Sequence, residues 1–211
     1  MAANTKSLLT VLVFAYCNLA NAQTGRERHG IWLDGALGPG WVHVSSDTLQ
    51  GRNQTGIDGI LAIGWTLGSR VRAGIGWAQW TSQWGAGKQN WVTSYDILVY
   101  YYPFPHRTFF LEAAVGSGDY LVVHVPAGGQ RADSISLSGS AWGPTVAIGW
   151  DASLGRGRSV GSIFSFRPRL SYSYGPPRTL QSGDGTVLAT GWRHHVLSLD
   201  IGVVMHPPDS R

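Results

Sequence analysis

The sequence predicts an all-β fold, an eight-stranded antiparallel up-and-down transmembrane β-barrel, and three observations carry that reading. The first is alternation. From Val160 to Tyr174 one row at period two holds Val160, Ser162, Phe164, Phe166, Pro168, Leu170, Tyr172 and Tyr174. The other holds Gly161, Ile163, Ser165, Arg167, Arg169, Ser171 and Ser173. On a strand the two rows face opposite sides, and aromatics on one side with two successive arginines on the other match lipid outside and a polar lumen inside. The second is composition: charged residues make up 13% of the chain, well below the roughly 25% of a soluble domain, yet mean hydropathy is only -0.04. Apolar and polar residues that alternate instead of clustering give that combination. The third is that the connections between alternating segments are long and short in turn.

A chain of 211 residues with no break in composition is one domain. Residues 1–22 stand apart as a signal peptide: Lys6 gives a positive start, Leu8 to Tyr16 an apolar run, and Ala20-Asn21-Ala22 a small-x-small cleavage site. The barrel domain is then 23–211. No stretch approaches the ~18 uninterrupted apolar residues of a spanning helix, so any crossing falls to strands. The single cysteine, Cys17, lies in the leader, so the mature chain is expected to have no thiol, disulfide or cysteine metal ligand, and no cofactor is expected. A formal charge of +4 is too modest to point to nucleic acid.

Strand one, Gly30 to about Val44, sets Ile31, Leu33 and Leu37 opposite Asp34, with a bend expected at Gly38-Pro39-Gly40. Strand two, about Thr55 to Leu67, sets Ile57, Leu61, Ile63 and Trp65 opposite Asp58, Ala62 and Gly64. After the turn Gly68-Ser69-Arg70, strand three sets Val71, Ala73, Ile75 and Trp77 opposite Arg72, Gly74 and Gly76, so the two form a hairpin. Trp80 to Asn90 reads as a loop. Strand four, about Trp91 to Pro103, sets Tyr95, Ile97, Val99 and Tyr101 opposite Asp96, Leu98 and Tyr100; strand five, Thr108 to about Val122, sets Phe109, Leu111, Ala113 and Val115 opposite Glu112, Ala114 and Gly116. A loop from about His124 to Ser136 leads to strand six, about Ser138 to Leu154, with Trp142, Val146, Ile148 and Trp150 on one row. Val160 to Tyr174 is strand seven. Gly175 to Leu188, rich in Gly, Pro and Ser, reads as a loop, and strand eight, about Gly191 to His206, sets Leu197, Leu199, Ile201, Val203 and Met205 opposite Ser198, Asp200 and Gly202.

Short periplasmic turns and longer extracellular loops are the asymmetry of an outer-membrane barrel, and the aromatics fall into two belts. Trp65, Tyr101, Phe104, Phe109 and Trp150 lie near the short turns; Trp77, Trp91, Tyr95, Tyr120, Trp142, Tyr172, Tyr174 and Trp192 lie near the long loops. In hydrocarbon every backbone donor needs an internal partner, so the sheet must close. Eight strands enclose an interior that side chains can fill. Glycines and alanines on the inward rows leave room for a lumen charge network of Asp58, Arg72, Asp96, Glu112, Arg167, Arg169 and Asp200. Pro144 and Pro168 fall mid-strand without a ladder donor, so a bulge or irregular pairing is expected at each.

With these features in place, the chain resembles the small eight-stranded outer-membrane barrels of the OmpA/OmpX kind of Gram-negative bacteria, most clearly over Ile57 to Trp77 and Val160 to Tyr174. The resemblance implies a cell outer membrane location, with outer-membrane lipid and the barrel assembly machinery as partners. Such barrels commonly finish on an aromatic that aids recognition by that machinery, whereas strand eight here ends at Met205 and His206.

The expected role is non-enzymatic, structural or surface-interacting, with a packed charged lumen and at most a narrow pore. No motif identifies a partner for the extracellular loops. One alternative is an outer-membrane lipid-modifying hydrolase of the lipid A deacylase kind, using His194, His195, Ser198 and Asp200. Against it, His194 and Ser198 lie about 13 Å apart along an extended strand. His194 and His195 point to opposite faces and cannot chelate one metal together. Another alternative is a soluble lipocalin-like ligand-binding barrel, with the apolar row turned inward.

Overall fold

The computed structural model describes residues 30–48, 51–82, 87–104, 108–125, 133–135, 141–153, 164–182 and 184–205. The signal peptide expected at 1–22, the start of the Val160 stretch and His206 lie outside the described residues. Among the described residues ten strands form: β1 (Gly30–Ser45), β2 (Arg52–Thr66), β3 (Val71–Thr81), β4 (Gly87–Tyr101), β5 (Phe109–Val125), β6 (Asp133–Ile135), β7 (Ala141–Trp150), β8 (Ala152–Ser153), β9 (Phe164–Gln181) and β10 (Val187–Met205). Two of these are short. β6 folds back on β5, and β8 continues β7 along β9. The other eight are the staves of an antiparallel meander, and pairing of β1 with β10, from Leu33↔Met205 to Ser45↔Arg193, closes it. Among the described residues every stave pairs with a neighbour on both sides, as hydrocarbon requires.

Sidedness follows the alternation. Leu199 is 49% exposed and Phe164 48%, with Leu33, Ile75, Ile97 and Ile148 on the same outer surface, while Arg167 and Asp200 are fully buried. Apolar side chains on the outside and charges within are stable only with hydrocarbon around them, which excludes the lipocalin-like arrangement.

Toward the long-loop end the pattern inverts. Val42, Val44, Trp80, Val92, Tyr120, Leu180, Ala189, Trp192 and Val196 point inward and form one apolar cluster, while His43, Asn53 and Arg193 face out. A strand that leaves the membrane has water outside, so its apolar row turns inward as in a soluble protein. This explains two corrections. Tyr120 and Trp192, expected in the outer belt, are inside at 3% and 7% exposure. Much of what reads as loop is strand: β3 reaches Thr81, β4 begins at Gly87, β5 reaches Val125, and β9 and β10 reach Gln181 and Val187.

Of the two outcomes expected at each proline, the structure shows irregular pairing and not a bulge. Val115↔Pro144 and Ile201↔Pro168 both lie in continuous register. The β7–β9 ladder, however, runs only from Thr145↔Ser173 to Gly149↔Arg169 and resumes with β8 at Ala152↔Phe166. It therefore stops beside Pro144 and skips Pro168. A strand residue directs its N–H to one neighbour only, so each proline breaks the ladder on one side without shifting register. The register shifts lie instead in β10 between Val187 and His194, opposite the Pro176-Pro177 pair and around Gly191, whose φ of 63° is the left-handed conformation a bulge glycine supplies.

Small residues make room for large ones across the lumen. Gly64 pairs with Gly74 beneath the buried Trp32 ring, and a Cβ at Gly64 would stand 2.4 Å from Trp32 Cζ2. Trp32, Leu98, Tyr100, Tyr102, Phe110 and Val204 fill the short-turn end as a second inward cluster.

Candidate functional site

The polar interior lies between the two apolar clusters, and inward positions of β9 organise it. Arg167 is at its short-turn side. Its Nε donates to Asp151 Oδ1 at 2.7 Å and its Nη1 to Asp34 Oδ2. The guanidinium lies 4.5 Å from the Tyr100 ring centroid and 4.7 Å from that of Phe110, so aromatic faces cover the cation where it makes no hydrogen bond. Tyr100 Oη donates to Asp34 at 2.9 Å, Tyr102 Oη to Asp151 at 2.6 Å, and Arg72 Nη1 to Asp151 at 3.2 Å.

One inward position further along β9, Arg169 forms a separate group. Its Nε and Nη2 donate to the two oxygens of Glu112 at 2.7 and 2.9 Å, the bidentate fork that suits a carboxylate. Its Nη1 reaches Asp200 at 3.0 Å. Beyond Arg169 the partners become hydroxyls. Ser198 Oγ donates to Asp58 at 2.7 Å and lies 2.8 Å from Ser171 Oγ, and Ser94 Oγ donates to Asp96 at 2.9 Å. A cavity of about 50 Å³, room for water molecules and little else, lies here against Asp58, Asp96, Arg169, Ser171, Arg178 and His194.

All seven residues expected in the lumen lie on inward rows, but they do not form one network. Arg72, Arg167, Arg169, Glu112 and Asp200 take part in ion pairs; Asp58 and Asp96 have hydroxyl partners and no arginine within ion-pair distance among the described residues. Two acids were missing from the expectation, Asp34 and Asp151. Both were legible: Asp34 was already opposite Leu33, and Asp151 follows Thr145, Ala147 and Gly149 on one row. The tyrosine hydroxyls were not legible, because parity marks Tyr100 as inward without saying that its hydroxyl reaches a carboxylate on β1.

Comparison with solved structures places this geometry. Neisserial surface protein A matches with a TM-score of 0.54 at 11% identity, over 83% of this chain and 96% of that one. Ail, the attachment invasion locus protein of Yersinia pestis, matches with a TM-score of 0.50 at 13% identity, over 84% of this chain and 99% of that one. The chain has the fold of the small outer-membrane barrels. No family model matches the sequence, and no curated protein does. With the outer apolar surface, the fold assigns the chain to the outer membrane.

Within this barrel the residues of the hydrolase alternative are apart. His194 points inward and its Nδ1 lies 3.0 Å from Arg178 Nη2; His195 points outward and its Nδ1 lies 2.6 Å from Tyr172 Oη. Ser198 is engaged with Asp58 and Ser171, and Asp200 with Arg169. A serine nucleophile needs a histidine within hydrogen-bond reach, and neither histidine bonds Ser198. Among the described residues no three His, Cys, Asp or Glu side chains are grouped to hold a metal ion.

Proposed function

We propose that this outer-membrane barrel has a non-enzymatic structural or surface-interaction role, with at most a narrow pore. The supporting observation is the filled interior: an aromatic cluster at one end, arginine–carboxylate groups in the middle, and a Trp80–Trp192–Tyr120 cluster at the other end. Such a lumen leaves no aqueous path of porin width. The surface role is supported by the β9–β10 hairpin, which continues past the membrane to a turn near which Val187 and Leu188 are exposed. Reconstitution into planar bilayers tests the reading. No porin-sized conductance steps and no release of fatty acid from phospholipid or lipid A are expected. A stable wide channel, or hydrolysis abolished by Ser198→Ala, contradicts it.

A further inference from the structure

The outer surface over β1 and β10 changes character at one rung. Trp41 lies opposite Leu197, and Leu197 opposite Tyr172, at the upper edge of the apolar surface. One rung further out, Asn53, His43, His195 and Tyr174 stand side by side on four neighbouring strands, each in register with the next. The rung after that sets Ser45 opposite Arg193, whose Nε donates to Ser45 Oγ at 3.0 Å. Rungs on one face are about 7 Å apart along a strand, so this polar group stands directly above the hydrocarbon, at headgroup depth.

The group is held in place by its own contacts. His43 Nδ1 lies 2.7 Å from Asn53 Oδ1, and His195 Nδ1 lies 2.6 Å from Tyr172 Oη. The His195 ring is 5.1 Å from Tyr174 and 6.1 Å from His43, centroid to centroid. With each Nδ1 engaged, Nε2 is the ring position left for a ligand. That of His43 is covered by the chain at Gly51, where a Cβ would stand 2.6 Å away. Among the described residues the two terminal nitrogens of Arg193 make no hydrogen bond. Asp47, two residues beyond Ser45, packs over Gly191 in the connection above.

We propose that this rung binds the phosphate of an outer-leaflet lipid, with Arg193 and His195 as the contacting residues and His43 as a positioning residue. A guanidinium offers paired donors matched to phosphate oxygens. The occupant is a lipid and not free phosphate because the acyl chains of a phosphate bound here would lie along Trp41, Leu197 and Tyr172, whereas a free ion would meet only a solvated rim. The proposal rests on the membrane placement and not on the closed lumen, so either can fail alone.

The test uses the folded full chain in dodecyl maltoside, with lipid binding followed by native mass spectrometry. The probes are diphosphoryl lipid A, the same lipid with its phosphates removed, and inorganic phosphate. The protein is expected to prefer the phosphorylated lipid by about tenfold or more, a measurable difference in dissociation constant. Arg193→Ala/His195→Ala should abolish that preference, Arg193→Gln should weaken it, and Arg70→Ala at the opposite rim should leave it intact. Heat-modifiable gel migration shows that each variant is folded. The proposal is overturned if phosphate makes no difference, if the double variant keeps the preference, if Arg70→Ala loses it equally, or if inorganic phosphate binds as tightly as the lipid.

Discussion

Arg167 and Arg169 are two positions apart on β9, yet they serve different carboxylates: Asp34 and Asp151 for the first, Glu112 and Asp200 for the second. Removing Arg167 leaves the buried Asp34 without its cation and Asp151 with Arg72 alone, and breaking a buried pair this way costs about 3–5 kcal/mol. Arg167→Ala is therefore expected to lower the unfolding free energy by about that amount in urea titrations from phospholipid vesicles. Asp58→Asn should cost about 1 kcal/mol or less, since an amide oxygen still accepts from Ser198 and no arginine loses a partner. Gly64→Val should destabilise by about 1–3 kcal/mol by overpacking, because its side chain meets Trp32 and the Ala73 carbonyl oxygen. At this scale the sequence reveals which residues face inward, because parity alone decides that. It does not reveal the pairing, because whether Asp58 meets an arginine or a serine depends on stagger between strands distant in sequence.

Strand ends were the harder part to read. Period two with the apolar row outside marks the membrane-crossing part of each stave, but the same chain continues upward with its apolar row inside. There Gly175, Pro176 and Pro177 signal a loop although β9 runs on to Gln181. Neighbouring strands supply the missing support: the β9–β10 ladder absorbs the two prolines by shifting register. The turn that joins these strands is a local device. Ser182 N donates to Thr186 O and Gly185 N to Ser182 O, both at 2.9 Å. Asp184 accepts from the Ser182 hydroxyl and from Thr186 N, and these bonds hold its carboxyl down to about 2. A depressed folded value means that the carboxylate's contribution is complete above the ordinary value of about 3.9 and is lost as pH falls through about 2. An NMR titration of the Asp184 carboxyl should therefore show a midpoint near 2, and Ser182→Ala should move it upward.

For the whole molecule, closure and membrane placement were legible because they follow from few constraints: alternating rows, short turns alternating with longer connections, and no tolerance in hydrocarbon for an open edge. The upper apolar cluster was hidden, since its members come from β1, β3, β4, β5, β9 and β10 and no single segment shows it. The molecule is thus built in two regimes, lipid outside over charges and an aromatic cluster below and water outside over an apolar core above. Site-directed spin labelling tests this most directly. Single cysteines at Leu199, Leu170 and Ile148, and at Val196 and Trp192, are labelled in vesicles with Cys17 replaced by serine, and collisions with oxygen and with a water-soluble nickel chelate are compared. Labels at the first three positions should favour oxygen strongly, as lipid-facing sites do, while those at Val196 and Trp192 should be shielded from both reagents. High chelate access at Leu199, Leu170 and Ile148 would contradict the account.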